Sequence, residues 1–205
     1  FAPLGISAIA GDAAGRLVLS GVNRLQIFIW IYLALWALLF FIVLPGVLAS
    51  LSNIGFGEYF RTFRAPFITA FATGSFLITL PMLIEEIRAL LKRHDAADEE
   101  TDAAVDVLIP TLFNFPSAAM ILLLSFVLFA GWYAGSPVPL AKYPLFTSAA
   151  LLLAFGGSNV AIPKLLEILR LPADLFELFL VANVINNFFF QALAASSLVV
   201  CTLLT

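Results

Sequence analysis

Three long apolar stretches without ionisable side chains divide the sequence. They run from Leu25 to Leu51, from Val107 to Ala141 and from Leu178 to Thr205. Each exceeds the roughly 20 apolar residues that a helix needs to cross the hydrocarbon core of a bilayer. The pattern predicts a transmembrane helix in each stretch. The second helix should end near Gly131-Trp132-Tyr133, and Pro45-Gly46 should kink the first near one interface.

Two further apolar segments are interrupted by small residues. Ala65 to Ile84 has Ala72-Thr73-Gly74-Ser75 at its centre, and Leu145 to Pro163 contains Phe155-Gly156-Gly157-Ser158-Asn159. Non-helical backbone is tolerated at membrane depth only where protein or a water-filled cavity satisfies its N–H and C=O groups. The two breaks predict a pair of re-entrant hairpins whose tips meet at a binding site. For the first segment, a proline-kinked spanning helix with Gly74 as a packing notch is the alternative.

An amide, a helix breaker and a hydroxyl occur together in the second long stretch, in Asn114-Phe115-Pro116-Ser117. This group predicts a local unwinding of the helix that presents oxygen atoms to an ion. Asn114 and Ser117 are therefore candidate sodium ligands. A proline kink whose polar groups are satisfied within the protein explains the same residues equally well.

The last stretch contains four carboxamides, at Asn183, Asn186, Asn187 and Gln191. Asn183, Asn187 and Gln191 are spaced four residues apart, so they share one helix face. Two interpretations remain open for this face. The amides either hydrogen-bond neighbouring helices, at about 1 kcal/mol each, or line a polar cavity.

Composition and charge narrow the class of protein. The chain is 62% hydrophobic and 11% charged, whereas soluble chains average roughly 45–50% apolar and 25% charged residues. Ten Lys and Arg against thirteen Asp and Glu leave no basic excess for binding nucleic acid. The apolar stretches hold no Ser/His/Asp, Cys/His or metal-ligand set, so neither an enzyme nor an organic cofactor is expected. The sequence predicts an integral membrane protein.

From Arg88 to Asp106 the chain is strongly polar, which predicts a segment in water. Its acidic residues lack the spacing and the glycine of a calcium loop, so no metal site is expected among them.

Local motifs, taken in their order along the chain, resemble the C-terminal half of the dicarboxylate/amino acid:cation symporters, the glutamate transporter family. Phe1-Ala2-Pro3-Leu4-Gly5 is similar to an Ala-Pro-Ile-Gly stretch in the family's fifth helix. Thr69-Ala70-Phe71-Ala72-Thr73 and Thr79-Leu80-Pro81 resemble the two arms of its first hairpin. The resemblance implies an all-α polytopic membrane protein with transmembrane helices and two re-entrant helical hairpins.

The resemblance also implies an order of segments within a single membrane domain, residues 1–205. These are the end of the fifth helix with the sixth helix (1–57), the first hairpin (60–93), a polar loop (94–106), the seventh helix (107–134), the second hairpin (143–172) and the eighth helix (175–205). On this view the chain is a fragment that lacks its N-terminal half. It would lie in the inner or plasma membrane and form a homotrimer.

The sequence departs from the family pattern at positions that bind the substrate and sodium in the family. In the family, an Asp-x-x-x-Asp-x-x-Arg pattern binds an acidic amino acid. The aligned residues here are Asn183, Asn187 and Phe190. Ala194 and Leu198 stand where an asparagine and an aspartate help to hold sodium. Because Phe190 cannot pair with a carboxylate, an acidic amino acid should bind poorly. At least one sodium site should also be lost.

The sequence therefore predicts a divergent secondary transporter domain in the lipid bilayer. It would carry a small polar, organic-acid-like or amino-acid-like solute by symport with a cation, either sodium or a proton. The expected substrate-binding residues are Thr73, Gly74, Ser75, Asn114, Gly156, Gly157, Ser158, Asn183 and Asn187. The alternative is a transport-inactive membrane receptor or anchor within a longer sensing or binding protein.

Overall fold

The computed structural model describes residues 25–94 and 99–205. Within these ranges the chain is helical and contains no β-strand. The stretch Phe1-Ala2-Pro3-Leu4-Gly5, predicted to end a fifth helix, lies outside the described residues.

Nine α-helices make up the described part of the chain. They are α1 (Leu25–Leu51), α2 (Phe56–Thr73), α3 (Phe76–Arg93), α4 (Glu99–Phe113), α5 (Ala118–Leu124), α6 (Phe126–Tyr133), α7 (Tyr143–Leu153), α8 (Ser158–Leu169) and α9 (Leu175–Leu204). Short 3₁₀ turns at Leu140–Lys142 and Ala154–Gly156 precede and follow α7.

Three described segments are long and apolar enough to cross a membrane. They are α1, the run Ala103–Tyr133 and α9. The three predicted transmembrane helices are thereby confirmed. In α1 the helix continues through Pro45-Gly46 after a π-helical turn at Leu39–Val43. A proline ring clashes with the carbonyl four residues earlier in a regular helix, and the wider turn relieves this clash.

Helices α2 and α3 form a hairpin. Gly74, at the end of α2, takes the left-handed conformation (φ 61°, ψ 23°) and reverses the chain. The ends of the two helices away from the turn lie next to each other. Glu58 Oε2, in the first turn of α2, is 3.2 Å from Nε2 of His94, which directly follows α3. Arg93 also donates to the Thr62 hydroxyl, at 3.2 Å. The predicted first hairpin is confirmed, and the alternative of a kinked spanning helix is wrong.

A second hairpin is built from α7 and α8. The 3₁₀ turn Ala154–Gly156 and Gly157, with φ 76° and ψ 165°, form its tip. This region of conformational space is essentially open to glycine alone. At the other end, Lys142 before α7 and Leu169 at the end of α8 line one small cavity together. The second predicted hairpin is confirmed as well.

The polar segment differs from its prediction. The sequence predicts a loop over residues 94–106, but α4 already covers residues 99–106. Buried Val105 and Ile109 lie four residues apart on α4 and anchor it to the core. Asp106 in turn pairs with Arg88 of α3, at 2.6 Å. An amphipathic helix can therefore start in polar sequence when its apolar residues recur at helical spacing.

Helix α9 is the centre of the described fold. It packs against both arms of the first hairpin and against α1, α4 and α5. Its second half is buried through a run of small residues, Ala192, Ala194, Ala195, Ser196 and Ser197. Small side chains let neighbouring helix backbones approach closely, which is how helices associate in lipid.

Tyr59→Phe is expected to destabilise the contact between α2 and α9. Tyr59 Oη and Ser196 Oγ share a buried hydrogen bond of 2.7 Å, and the change would leave Ser196 without its partner. We expect the free energy of unfolding in detergent micelles to fall by about 1 kcal/mol. Tyr32→Phe is the matched control, since the Tyr32 hydroxyl is buried without a hydrogen-bond partner among the described residues. Equal losses in the two variants would contradict the assignment.

Candidate functional site

The two hairpin tips and α9 border a cavity of about 490 Å³. Its fourth wall is the break between α4 and α5. The lining residues are 74–77 from the first tip, 112–117 and Met120 from the break, Ala154, Phe155 and Gly157 from the second tip, and Phe190, Gln191, Ala194, Ser197, Leu198 and Cys201 from α9. A cavity of this size suits a small organic solute.

Two hydrogen bonds hold the first tip to α9, and a third links the two carboxamides that make them. Asn187 Nδ2 donates to the carbonyl oxygen of Gly74, at 3.1 Å. Gln191 Nε2 donates to Asn187 Oδ1, and Gln191 Oε1 accepts from the backbone N–H of Phe76, both at 3.1 Å. The carboxamides thus satisfy backbone groups that the turn leaves without helical partners.

Gly74 is required at this tip for two reasons. Its positive φ is unfavourable for residues with a Cβ. A Cβ placed there would also lie 3.2 Å from Asn187 Nδ2 and 3.3 Å from Phe188 Cε1. The tip and α9 therefore approach each other as closely as only glycine allows.

The break between α4 and α5 spans residues 114–117. Pro116 has no N–H to continue the helix. The Asn114 side chain donates Nδ2 back to the carbonyl oxygen of Pro110, at 2.8 Å. The predicted unwinding at Asn114-Phe115-Pro116-Ser117 is therefore present, and this stretch faces the cavity.

The second tip touches the break through two aromatic rings. Phe155 and Phe115 meet edge to face, with centroids 5.8 Å apart. Both side chains are also more than half exposed, Phe155 at 59% and Phe115 at 57%. The cavity is thus bordered by an apolar edge between the second tip and the break.

The structure brings some of the predicted site residues together. Gly74, Ser75, Asn114 and Gly157 line the cavity, and so does the candidate sodium ligand Ser117. The other predicted residues lie outside the cavity lining: Thr73, Gly156, Ser158, Asn183 and Asn187. Thr73, for example, donates its hydroxyl to the carbonyl of Thr69 in its own helix.

Two polar residues of the cavity were missed as site residues in the sequence. The sequence predicts for Gln191 only that it shares a helix face with Asn183 and Asn187, and it carries no prediction for Ser197. The Ser197 hydroxyl is buried and has no hydrogen-bond partner among the described residues. Residues 190, 194, 197 and 201 are three or four apart, and this helical spacing was the signal that could have found the face.

The cavity is electrically neutral. Among its lining residues in the described part of the chain there is no Asp, Glu, Lys, Arg or His. Its polar groups are the hydroxyls of Ser75, Ser117 and Ser197 and the amides of Asn114 and Gln191. The described residues also contain no group of three or more His, Cys, Asp or Glu side chains that could hold a metal ion.

The family model described as "Sodium:dicarboxylate symporter family" matches residues 1–205. The chain belongs to this family. A search of curated proteins found no match. The recognition of the family from the hairpin motifs is thereby confirmed.

Membership of the sodium:dicarboxylate symporter family makes the chain a multi-pass protein of the cell membrane. Members of this family are transporters, which supports symport as the general activity of the chain. The family implies sodium as the coupling ion. Phe190, Ala194 and Leu198, which the resemblance in sequence aligns with binding residues of the symporter family, all line the cavity.

Asn187→Ala should destabilise the protein even without solute. The change removes the bonds to Gly74 and Gln191 and leaves a carbonyl and an amide donor without partners. We expect a loss of about 1–2 kcal/mol in the free energy of unfolding. Asn183→Ala, one turn earlier on α9, is the control and should change stability by less than about 0.5 kcal/mol. An unchanged stability of Asn187→Ala would argue that this amide serves the solute instead.

Proposed function

We propose that the protein carries a small uncharged polar solute in the cavity between the two hairpin tips, by symport with a cation. The observation that carries this proposal is the absence of any Asp, Glu, Lys, Arg or His side chain among the described lining residues. A charged group that leaves water for such a site finds no opposite charge, and the cost is several kcal/mol. An uncharged solute avoids this cost.

The composition of the wall supports the same solute class. Phe76, Phe113 and Phe190 offer apolar surface, while Ser75 and Asn114 offer a hydroxyl and an amide group. Ligand sites are typically apolar with a few placed polar groups that fix orientation. A solute with one amide or hydroxyl group and a short apolar part would match both features. Among the solutes expected from the sequence, an organic acid fits this wall least well.

Cation coupling rests on the family and on the oxygen atoms of the same wall. Sodium prefers oxygen ligands, as hard cations do. Asn114 and Ser117 supply such atoms at the unwound break. If they hold the coupling ion, Ser117→Ala should weaken the response of thermal stability to sodium while leaving the response to choline chloride unchanged.

Cys201 provides a direct test of occupancy. It is the single cysteine of the chain, its side chain is exposed, and it lines the cavity. In the full-length protein, a panel of small amides and alcohols should contain members that slow alkylation of Cys201 by N-ethylmaleimide, read by mass spectrometry of the peptide. Succinate and aspartate should leave the rate unchanged.

A matched control uses Leu140, which is 79% exposed and lies outside the cavity lining. In the double variant Cys201→Ser and Leu140→Cys, the same solutes should not affect labelling. The proposal fails if dicarboxylates protect Cys201 and uncharged solutes do not. Counterflow of a protecting solute in proteoliposomes then separates transport from the receptor or anchor alternative, which predicts protection without counterflow.

A further inference from the structure

A second cavity, of about 220 Å³, lies at the open end of the second hairpin. It is bordered by residues 136–139 and Lys142 on one side and by Leu169, Arg170 and Leu171 on the other. It shares no lining residue with the cavity between the hairpin tips. We call it the basal pocket.

The basal pocket is cationic. Lys142 and Arg170 both line it, and none of its described lining residues is acidic. Neither cation has an ion pair or hydrogen bond from its side chain to another described residue. The acid nearest along α8, Glu167, is instead paired with Lys164, at 2.7 Å. The pocket is therefore lined by two positively charged side chains, neither of which forms an ion pair with a described residue.

The backbone at Arg170 is strained. With φ 60° and ψ 39° it is in the left-handed region, and it is the one non-glycine residue with positive φ among those described. Leu171 N–H closes the helix end on the carbonyl of Leu166, at 2.8 Å, in the arrangement where glycine is usual. Strained residues of this kind cluster at active sites and ligand clamps. An arginine in place of glycine presents a guanidinium to the pocket.

Residues near the pocket are typical of the lipid headgroup level. Trp132 is half exposed and Tyr143 directly follows Lys142, and both residue types concentrate at membrane interfaces. Leu140, two residues from Lys142, is 79% exposed. An exposed leucine beside a cation suits a molecule with an acyl chain and an anionic head.

We propose that Lys142 and Arg170 form a binding site for a phosphate group at the base of the second hairpin. Arginine binds phosphate through two parallel N–H donors, and lysine adds a point charge. The phosphate can belong to the headgroup of an anionic phospholipid or to a free anion. The exposed Leu140 favours the phospholipid.

The test is the thermal stability of the full-length protein in neutral detergent, titrated with phosphatidylglycerol, phosphatidylcholine or inorganic phosphate. Phosphatidylglycerol should stabilise the protein more than phosphatidylcholine does. Lys142→Gln and Arg170→Gly should each weaken its apparent affinity by roughly fivefold, in line with the contribution of one basic residue near an anionic surface. Arg170→Gly suits the left-handed backbone, so it should fold and melt no lower than the wild type without lipid.

Lys164→Gln is the control, because Lys164 is an exposed cation on the same helix that does not line the pocket. It should keep the full response to phosphatidylglycerol. A response to phosphatidylglycerol alone assigns the site to a lipid, and an equal response to inorganic phosphate assigns it to a free anion. The site is refuted if neither probe stabilises the protein, or if the variant with both changes responds as the wild type does.

Discussion

Gly74→Val is expected to lower the free energy of unfolding by about 2–4 kcal/mol. A residue with a Cβ costs about 1–2 kcal/mol in the left-handed conformation, and a branched side chain is a poor fit there. The new Cβ would also lie within 3.2 Å of Asn187 Nδ2. The clash should push α9 from the first tip and break the bond from Asn187 to the Gly74 carbonyl, which adds about 1 kcal/mol. Unfolding of the full-length protein in detergent micelles measures the change.

Gly135→Val provides the matched control for this prediction. Gly135 also has a positive φ, of 71°, but nothing lies within 4 Å of a Cβ built on it. It should show the backbone cost without the clash, so its loss of stability should be clearly smaller. Equal losses at both positions would mean that the contact between the first tip and α9 contributes nothing to stability.

Succinate is expected to bind at least about 100-fold more weakly than its uncharged diamide, succinamide. The two molecules have nearly the same shape, but the dicarboxylate would bring its charges into a cavity whose described wall has no cationic side chain. An unpaired buried charge costs about 3–5 kcal/mol, and each 1.4 kcal/mol is about tenfold in affinity. Isothermal calorimetry of the full-length protein measures the ratio.

Phe190→Arg should narrow this ratio or reverse it, because Phe190 lines the cavity and the change supplies a partner for one carboxylate. Phe190→Leu is the control for lost aromatic volume and should leave the preference for the uncharged molecule intact. Tight binding of succinate to the unchanged protein would show that the charge is neutralised by groups outside the described cavity wall.

The hairpins could be predicted because their signals are local. Gly74 and Gly157 interrupt apolar segments at places where only backbone with positive φ can reverse the chain. The hydrocarbon thickness of a bilayer likewise sets the length of a span, so the existence of α1 and α9 as long apolar helices follows from hydropathy alone. The start of α4 was harder, because polar residues at a helix end resemble those of a loop. Its anchors Val105 and Ile109 are too few to reveal a helix by themselves.

The roles of the carboxamides depended on contacts between distant residues. Asn187 and Gly74 are 113 positions apart in sequence, and their hydrogen bond is seen only once α9 lies against the first tip. Their spacing alone places Asn183, Asn187 and Gln191 on one helix face. It does not show which element of the fold that face contacts. The sequence expectation placed Asn187 in the solute site, whereas the structure has it bonded to the backbone of the first tip.

By itself the sequence determined the membrane class, the three spans, the two hairpin turns and the family, because hydropathy, glycine conformation and motif order are properties of neighbouring residues. Only the tertiary structure decided which side chains of α9 border the cavity. The small residues in its second half are buried, and the helix packs against the first hairpin and α5. A rotation of one residue position, about 100°, would exchange Ser197 and Gln191 for other side chains. Packing between helices thus decides the chemistry of the wall.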